Sequence, residues 1–148
     1  MKMFAIVAAP LALLVAAAPS ALAKGRNELI NFPIAEVMSN PEFKDRLPKG
    51  VRFYFGTQRA AVSKRLGPTH TSKKTSSFKK SDKTACEWAM LSALIAIGED
   101  ARARGGNAVI NIKSNYENNE TSSNATYVCG AGKIMAGVAL KGEVAVVR

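Results

Sequence analysis

SDKTACEWAMLSALIAIGEDARARGGNAVINIK, residues 81–113, couples a helix signal to a strand signal through two glycines. Ser81 and Asp82 offer side-chain oxygens to the unpaired amides of a helix start, and Thr84-x-x-Glu87 offers an alternative capping box. From Cys86 to Ile97 the run is apolar nearly all round. The predicted helix, about 82–104, must therefore be well covered by the rest of the protein. Arg102 and Arg104 suit the negative end of its dipole, and Gly105-Gly106 ends it. Trp88 and Met90, at helical spacing beside Leu91 and Ile95, read as core rather than as a ligand pocket. Past the glycines, Asn107–Lys113 alternates. Ala108, Ile110 and Ile112 are expected to face the helix, and Val109, Asn111 and Lys113 to face away.

Upstream, Val51-Arg52-Phe53-Tyr54-Phe55-Gly56 alternates as a strand, with Val51, Phe53 and Phe55 on one face and Arg52 and Tyr54 on the other. Residues 24–31 are polar and carry no element signal. Phe32–Met38 reads as a short helix with Pro33 in its first turn, ended by Asn40-Pro41, and 41–47 as a further turn or two. Residues 57–81 are rich in Ser and Thr and contain Gly67-Pro68, the composition of a loop. Downstream, 117–124 reads as a turn and Thr126–Val147 as strand with internal glycines. If Cys129 faces the helix, strict alternation buries Lys133 and turns Ile134, Val138 and Leu140 outward. A bulge within Gly130-Ala131-Gly132 is expected to restore the phase. Gly142 is expected to set off a last strand, Glu143–Val147. The fold class that follows is α+β: a mixed or antiparallel sheet of three to four strands in β-α-β-β order. One main helix (about 82–104) packs on one face. The other face, with Arg52, Tyr54, Asn111 and Lys113, is left for solvent or a second copy of the chain.

With 148 residues and 47% apolar content, the chain has the size of one domain with a packed core. Residues 1–23, MKMFAIVAAPLALLVAAAPSALA, place Lys2 before an apolar run broken by Pro10 and end in a small-x-small site. That is the three-part pattern of a secretory signal peptide, leaving a single α+β domain at 24–148 in a periplasmic or secreted setting. The two cysteines, Cys86 and Cys129, are then read as a disulfide. No Cys-x-x-Cys pair accompanies them, and the single histidine is His70, so neither a zinc site nor any other metal or cofactor is expected. The formal charge of +10 is concentrated. Arg59, Lys64, Arg65, Lys73, Lys74, Lys79, Lys80 and Lys83 face only Asp82 across that segment. They form the candidate polyanion-binding set for lipopolysaccharide, anionic lipid or nucleic acid. Only Phe78 is interleaved, so a base-stacking platform is poorly supported.

The helix end Ala101-Arg102-Ala103-Arg104-Gly105-Gly106-Asn107-Ala108-Val109-Ile110 resembles the heavy-metal-binding (YbjQ-like) family and the C-terminal domain of the RcsF envelope-stress lipoprotein. This likeness spans about residues 84–141. Val51–Gly56, Ser81–Ala89 and Ile134–Gly142 resemble small exported proteobacterial proteins often named "excinuclease ATPase subunit". These likenesses imply an envelope role. The ATPase name finds no phosphate loop here: Gly132-Lys133 is followed by Ile134, and Tyr127 stands where the first glycine belongs. His70 and Glu87 lack the partners of a catalytic set. The reading is a non-enzymatic periplasmic protein that binds, senses or supports, with an envelope polyanion, an envelope protein or a second copy as candidate partners. Asn119-Glu120-Thr121 and Asn124-Ala125-Thr126 match the glycosylation acceptor by chance in such a setting.

Overall fold

The computed structural model describes residues 26–148; the stretch read as a signal peptide, 1–23, lies outside them. In chain order the elements are β1 (Asn27–Pro33), α1 (Ile34–Ser39), α2 (Pro41–Lys44), β2 (Arg52–Phe55), β3 (Val62–Ser76), α3 (Asp82–Ala103), β4 (Ala108–Tyr116), β5 (Asn119–Thr121), β6 (Thr126–Gly132) and β7 (Met135–Val147). The expected sheet of three to four strands in β-α-β-β order is therefore corrected. Among the described residues there is one mixed sheet of seven strands and there are three helices. Residues 27–31, within the polar stretch that carries no element signal, supply most of β1.

β7 is the hub. One edge pairs with β3 from Met135 to Val147. Its other edge is shared: β6 takes Ala136 and Gly137, and β4 takes Leu140 to Ala145. β6 carries β1 antiparallel, while β4 carries β2 in parallel and β5 antiparallel. The sheet thus forks beyond β7.

The second correction concerns 57–81. Most of this expected loop is β3. Its alternation is written in hydroxyls rather than hydrocarbon. Thr69, Thr71 and Thr75 lie opposite Gly142, Leu140 and Ala136 and share their helix-facing side. The Thr75 hydroxyl donates to the Ala85 carbonyl (3.0 Å), and the Thr69 hydroxyl to Asp100 (2.7 Å). Threonine suits a pleated strand, and the hydroxyls of Thr69 and Thr75 both find partners on α3, while Lys73, opposite Val138 on the same side, stays exposed near the end of the strand. Gly67, at φ 97°, sits in an irregularity between Arg65 and Gly67, and Pro68 follows it on an edge strand, where no ladder donor is lost.

Phase is the third correction. Val109 and Ile112 join the core beneath α3, whereas Ala108 and Ile110 join a second cluster with Ala145 and Val147 on the outer face. The switch occurs at Asn111, whose φ of 52° marks a bulge where the β4–β7 register shifts between Ile110 and Lys113. Tyr54, Ala60 and Val62 pack on that second cluster, so this part of the outer face is not left to solvent. No bulge occupies Gly130–Gly132. β6 and β7 instead meet in a tight hairpin across Lys133-Ile134, and β7 runs unbroken through Gly142.

α3 starts at Ser81, whose Oγ accepts from the Thr84 amide (3.1 Å). It ends in a Schellman motif, with Gly105 at φ 80° and the Gly106 amide donating to the Ala101 carbonyl (2.8 Å). Met90, Leu91, Leu94 and Ile97 are fully buried. The helix is apolar all round because α1, α2 and the approach to β2 strap its far side. Phe43 meets Trp88 edge-on at 4.9 Å. A Cβ on Gly98 would come within 2.8 Å of Pro48 and 2.9 Å of Phe53. Cys86 in the first turns of α3 is bonded to Cys129 in β6, with Cα atoms 5.9 Å apart.

Candidate functional site

The eight predicted basic residues do not form one patch. Lys64 and Lys74 are ten positions apart on an extended strand, roughly 30 Å. Arg59, Lys64 and Arg65 lie near the start of β3, and Arg65 pairs with Glu143 (2.9 Å). Lys83 pairs with Glu36 of α1. Lys73, Lys74, Lys79 and Lys80 gather at the opposite end, on the last residues of β3 and the turn into α3.

That end is built by two turns held side by side. The Ser77 amide donates to the Ile134 carbonyl (2.7 Å), and the buried Ser77 hydroxyl to the Gly132 carbonyl (3.1 Å). The β3–α3 turn is thereby stapled to the β6–β7 hairpin. A fifth lysine, Lys133, joins the group. So do three large apolar side chains: Phe78 and Ile134, each 66% exposed, and Met135, 43% exposed. The Lys79 ammonium lies 5.4 Å from the centre of the Phe78 ring. Lys133 and the apolar pair at 134–135 escape a reading of the sequence because they are far from 59–83 along the chain. Their signal is an apolar dipeptide following a lysine at a glycine-flanked turn.

Beside these turns a cavity of about 430 Å³ opens on the outer face. Lys74, Lys133 and Arg26 stand around it, and Tyr116 lies over Gly130 and Gly137. A Cβ on Gly137 would come within 3.2 Å of the Tyr116 ring. Burial, followed by the Glu117 charge, pushes the Tyr116 hydroxyl up from its usual range. The nearby acids, Asp82, Glu28 and Glu117, are outnumbered by the five lysines and Arg26, and none of those lysines is ion-paired among the described residues. Arg26 binds Asp82 and Glu28, and hydrogen bonding to Asp82 first, then Glu28, holds its guanidinium more firmly charged. Glu117 accepts from the Asn27 side chain (2.9 Å). The lysines of the turns consequently present an unbalanced positive field.

Other ionisable groups serve elsewhere. His70 lies opposite Lys141 on the outer face, while Glu87 belongs to α3 beneath the sheet, so the two are not brought together. Burial raises Glu87 above its usual range. Tyr127 is fully buried, which raises its hydroxyl first by desolvation and then by the Glu87 and Glu36 charges. It borders a void of about 10 Å³, too small for a ligand. Asp100 is drawn below the usual carboxylate range by the Thr69 hydroxyl first and then by Arg104. Arg104 also donates to the carbonyls of Leu66 (3.2 Å) and Pro68 (2.8 Å), locking the end of α3 to the irregular part of β3. Among the described residues no group of three His, Cys, Asp or Glu side chains is placed to hold a metal ion. None of their helices is long and apolar enough to cross a membrane.

Comparison with known proteins returns no matching family model, no matching curated protein and no matching solved structure.

Proposed function

We propose that the protein is a non-enzymatic component of the cell envelope, exported to the periplasm or beyond, which binds an anionic partner through the lysine-bearing end of its sheet. One observation carries this reading. The hydrogen bonds of Ser77 bring five lysines from separate parts of the chain, Lys73, Lys74, Lys79, Lys80 and Lys133, to one end of the sheet, while Arg26 occupies Glu28 and Asp82. The export half of the reading rests on the signal-like residues 1–23 and on the Cys86–Cys129 disulfide, a bond of oxidising compartments. Kinship with the small exported proteins and with the YbjQ-like family belongs to the same proposal and supports a binding or sensing role.

The test is a salt-dependent titration against soluble polyanions, a polyphosphate and an oligodeoxythymidylate. Changing Lys74, Lys79, Lys80 and Lys133 to Gln is expected to weaken binding. The salt dependence of oligonucleotide binding is expected to flatten by about 0.7 for each phosphate no longer neutralised. Changing Arg59 and Lys64 to Gln is expected to leave binding nearly unaltered. Binding that ignores the first set would refute the site. Cell fractionation and mass spectrometry test export, and a cytoplasmic chain that retains residues 1–23 would refute it.

A further inference from the structure

Phe78, Ile134 and Met135 are not accounted for by attraction to a polyanion. Phosphates in water give no reason to expose a phenyl ring and two aliphatic chains on the tips of adjoining turns. Three of the four exposed large apolar side chains among the described residues lie at this end, the fourth being Leu29 on the β1 edge. The turns that carry them are stapled together by Ser77 rather than left to collapse onto the core. Lysines adjoin them in sequence: Lys79 and Lys80 follow Phe78, and Lys133 precedes Ile134.

We infer that this end docks on a bilayer surface rich in anionic phospholipid. Phe78, Ile134 and Met135 enter the headgroup–acyl boundary, and Lys73, Lys74, Lys79, Lys80 and Lys133 lie among the phosphates. The inference rests on the anionic-partner reading and names the partner. Two physical requirements are met together. A surface-bound protein needs some apolar area to bury, and it needs cations to hold it at an anionic leaflet. Neither suffices alone, because single weak anchors give marginal, reversible attachment. Charge complementarity selects the lipid: Lys73, Lys74, Lys79, Lys80 and Lys133 make no ion pair among the described residues, and with Arg26 they outnumber the nearby acids Asp82, Glu28 and Glu117, so the lysines remain available to phosphate. The long axis of the β3–β7 pair would then stand away from the membrane, with the Arg59–Arg65 end outermost.

The experiment is co-sedimentation of the purified protein with vesicles of equal parts phosphatidylglycerol and phosphatidylcholine, and with vesicles of phosphatidylcholine alone. Comparison is made between variants, so that residues 1–23 contribute equally wherever they are retained. The wild type is expected to partition onto the anionic vesicles, to be released by high salt and to ignore the neutral ones. F78S/I134S is expected to lose at least about tenfold in vesicle partitioning, the yield of even one partly buried side chain, while keeping its binding to soluble polyphosphate. K79Q/K80Q is expected to lose about 30-fold. All four positions are exposed, so the fold is expected to survive, and the circular dichroism spectrum checks this. Failure of the wild type to bind anionic vesicles while polyphosphate binding persists would overturn the lipid inference and leave the polyanion reading standing. Failure on both would overturn both. An F78S/I134S variant that binds vesicles like wild type would also overturn the inference, because apolar entry would then contribute nothing.

Discussion

Changing Cys86 and Cys129 to Ala removes the one covalent link between α3 and β6. The bond closes a loop of sequence separation 43. In the chain-entropy account that loop is worth about 4 kcal/mol of stability. A domain of this size has roughly 5–15 kcal/mol in all, so the loss is a large share. The effect is also local. β6 meets β7 through only two residue pairs, Gly130 with Gly137 and Ala131 with Ala136, whereas β1 pairs with β6 along its whole length. The β1–β6 ribbon is therefore attached weakly through hydrogen bonds and firmly through Cys129. Urea unfolding of the oxidised protein, the reduced protein and the double Ala variant is expected to show both uncrosslinked forms less stable by about 4 kcal/mol, with melting lowered by roughly 10–20 °C. Amide exchange is expected to accelerate first in 27–33 and 126–131, ahead of the β3–β7 ladder. A loss under about 1 kcal/mol would refute the reasoning, as would protection lost first between β3 and β7.

Three further outcomes can be checked by the same unfolding measurements. Gly130→Ala drives a methyl group into the Tyr116 ring and is expected to cost about 1–3 kcal/mol, with Tyr116→Ser restoring much of it in a double-mutant cycle. Arg104→Met abandons the carbonyls of Leu66 and Pro68 and the carboxylate of Asp100, an expected loss of about 2–3 kcal/mol with increased exchange around 66–68. Asp100 has a depressed folded pKa, so its contribution is present above the ordinary carboxylate range and lost as pH falls through the lowered value. Asp100→Asn is accordingly expected to be less stable at neutral pH, by no more than about 1 kcal/mol given its exposure, and to converge with wild type in acid.

Local signals are legible in this chain and non-local ones are not. Ser81, Gly105 and the apolar run between them mark α3 because capping and the Schellman turn depend on neighbours a few residues away. Val51–Phe55 marks β2 by simple alternation. β3 escapes because its inward positions are Thr rather than Val or Ile, and what makes them buriable is a carbonyl and a carboxylate on α3, elements brought together only by folding. The phase of β4 escapes for a related reason. Asn111 adopts a left-handed conformation that Asn tolerates better than most residues, and this single residue breaks the alternation, so that Ile110 and Ile112, two apart, lie on opposite faces and Ile112 shares the core face with Val109. At the candidate site, the lysines of 73–80 are visible as composition. Their separation from Arg59–Arg65 follows from β3 being extended, and their union with Lys133, Ile134 and Met135 follows from a staple at Ser77 that no local pattern announces.

The central place of β7 sets the order in which the molecule can be completed. Every branch of the sheet waits for residues 135–147: β3 has no other ladder partner among the described strands, and β6 and β4 are joined through β7. Synthesis delivers this strand after all the others. Until it emerges, β3 carries a 15-residue row of unpaired amides and carbonyls, and α3 lacks much of the floor it packs on. A chain threaded across a membrane from its N-terminus would thus stay pliable through nearly its whole passage. On the export reading proposed above, its final register would be reached only on the far side, where Cys86 and Cys129 would be oxidised.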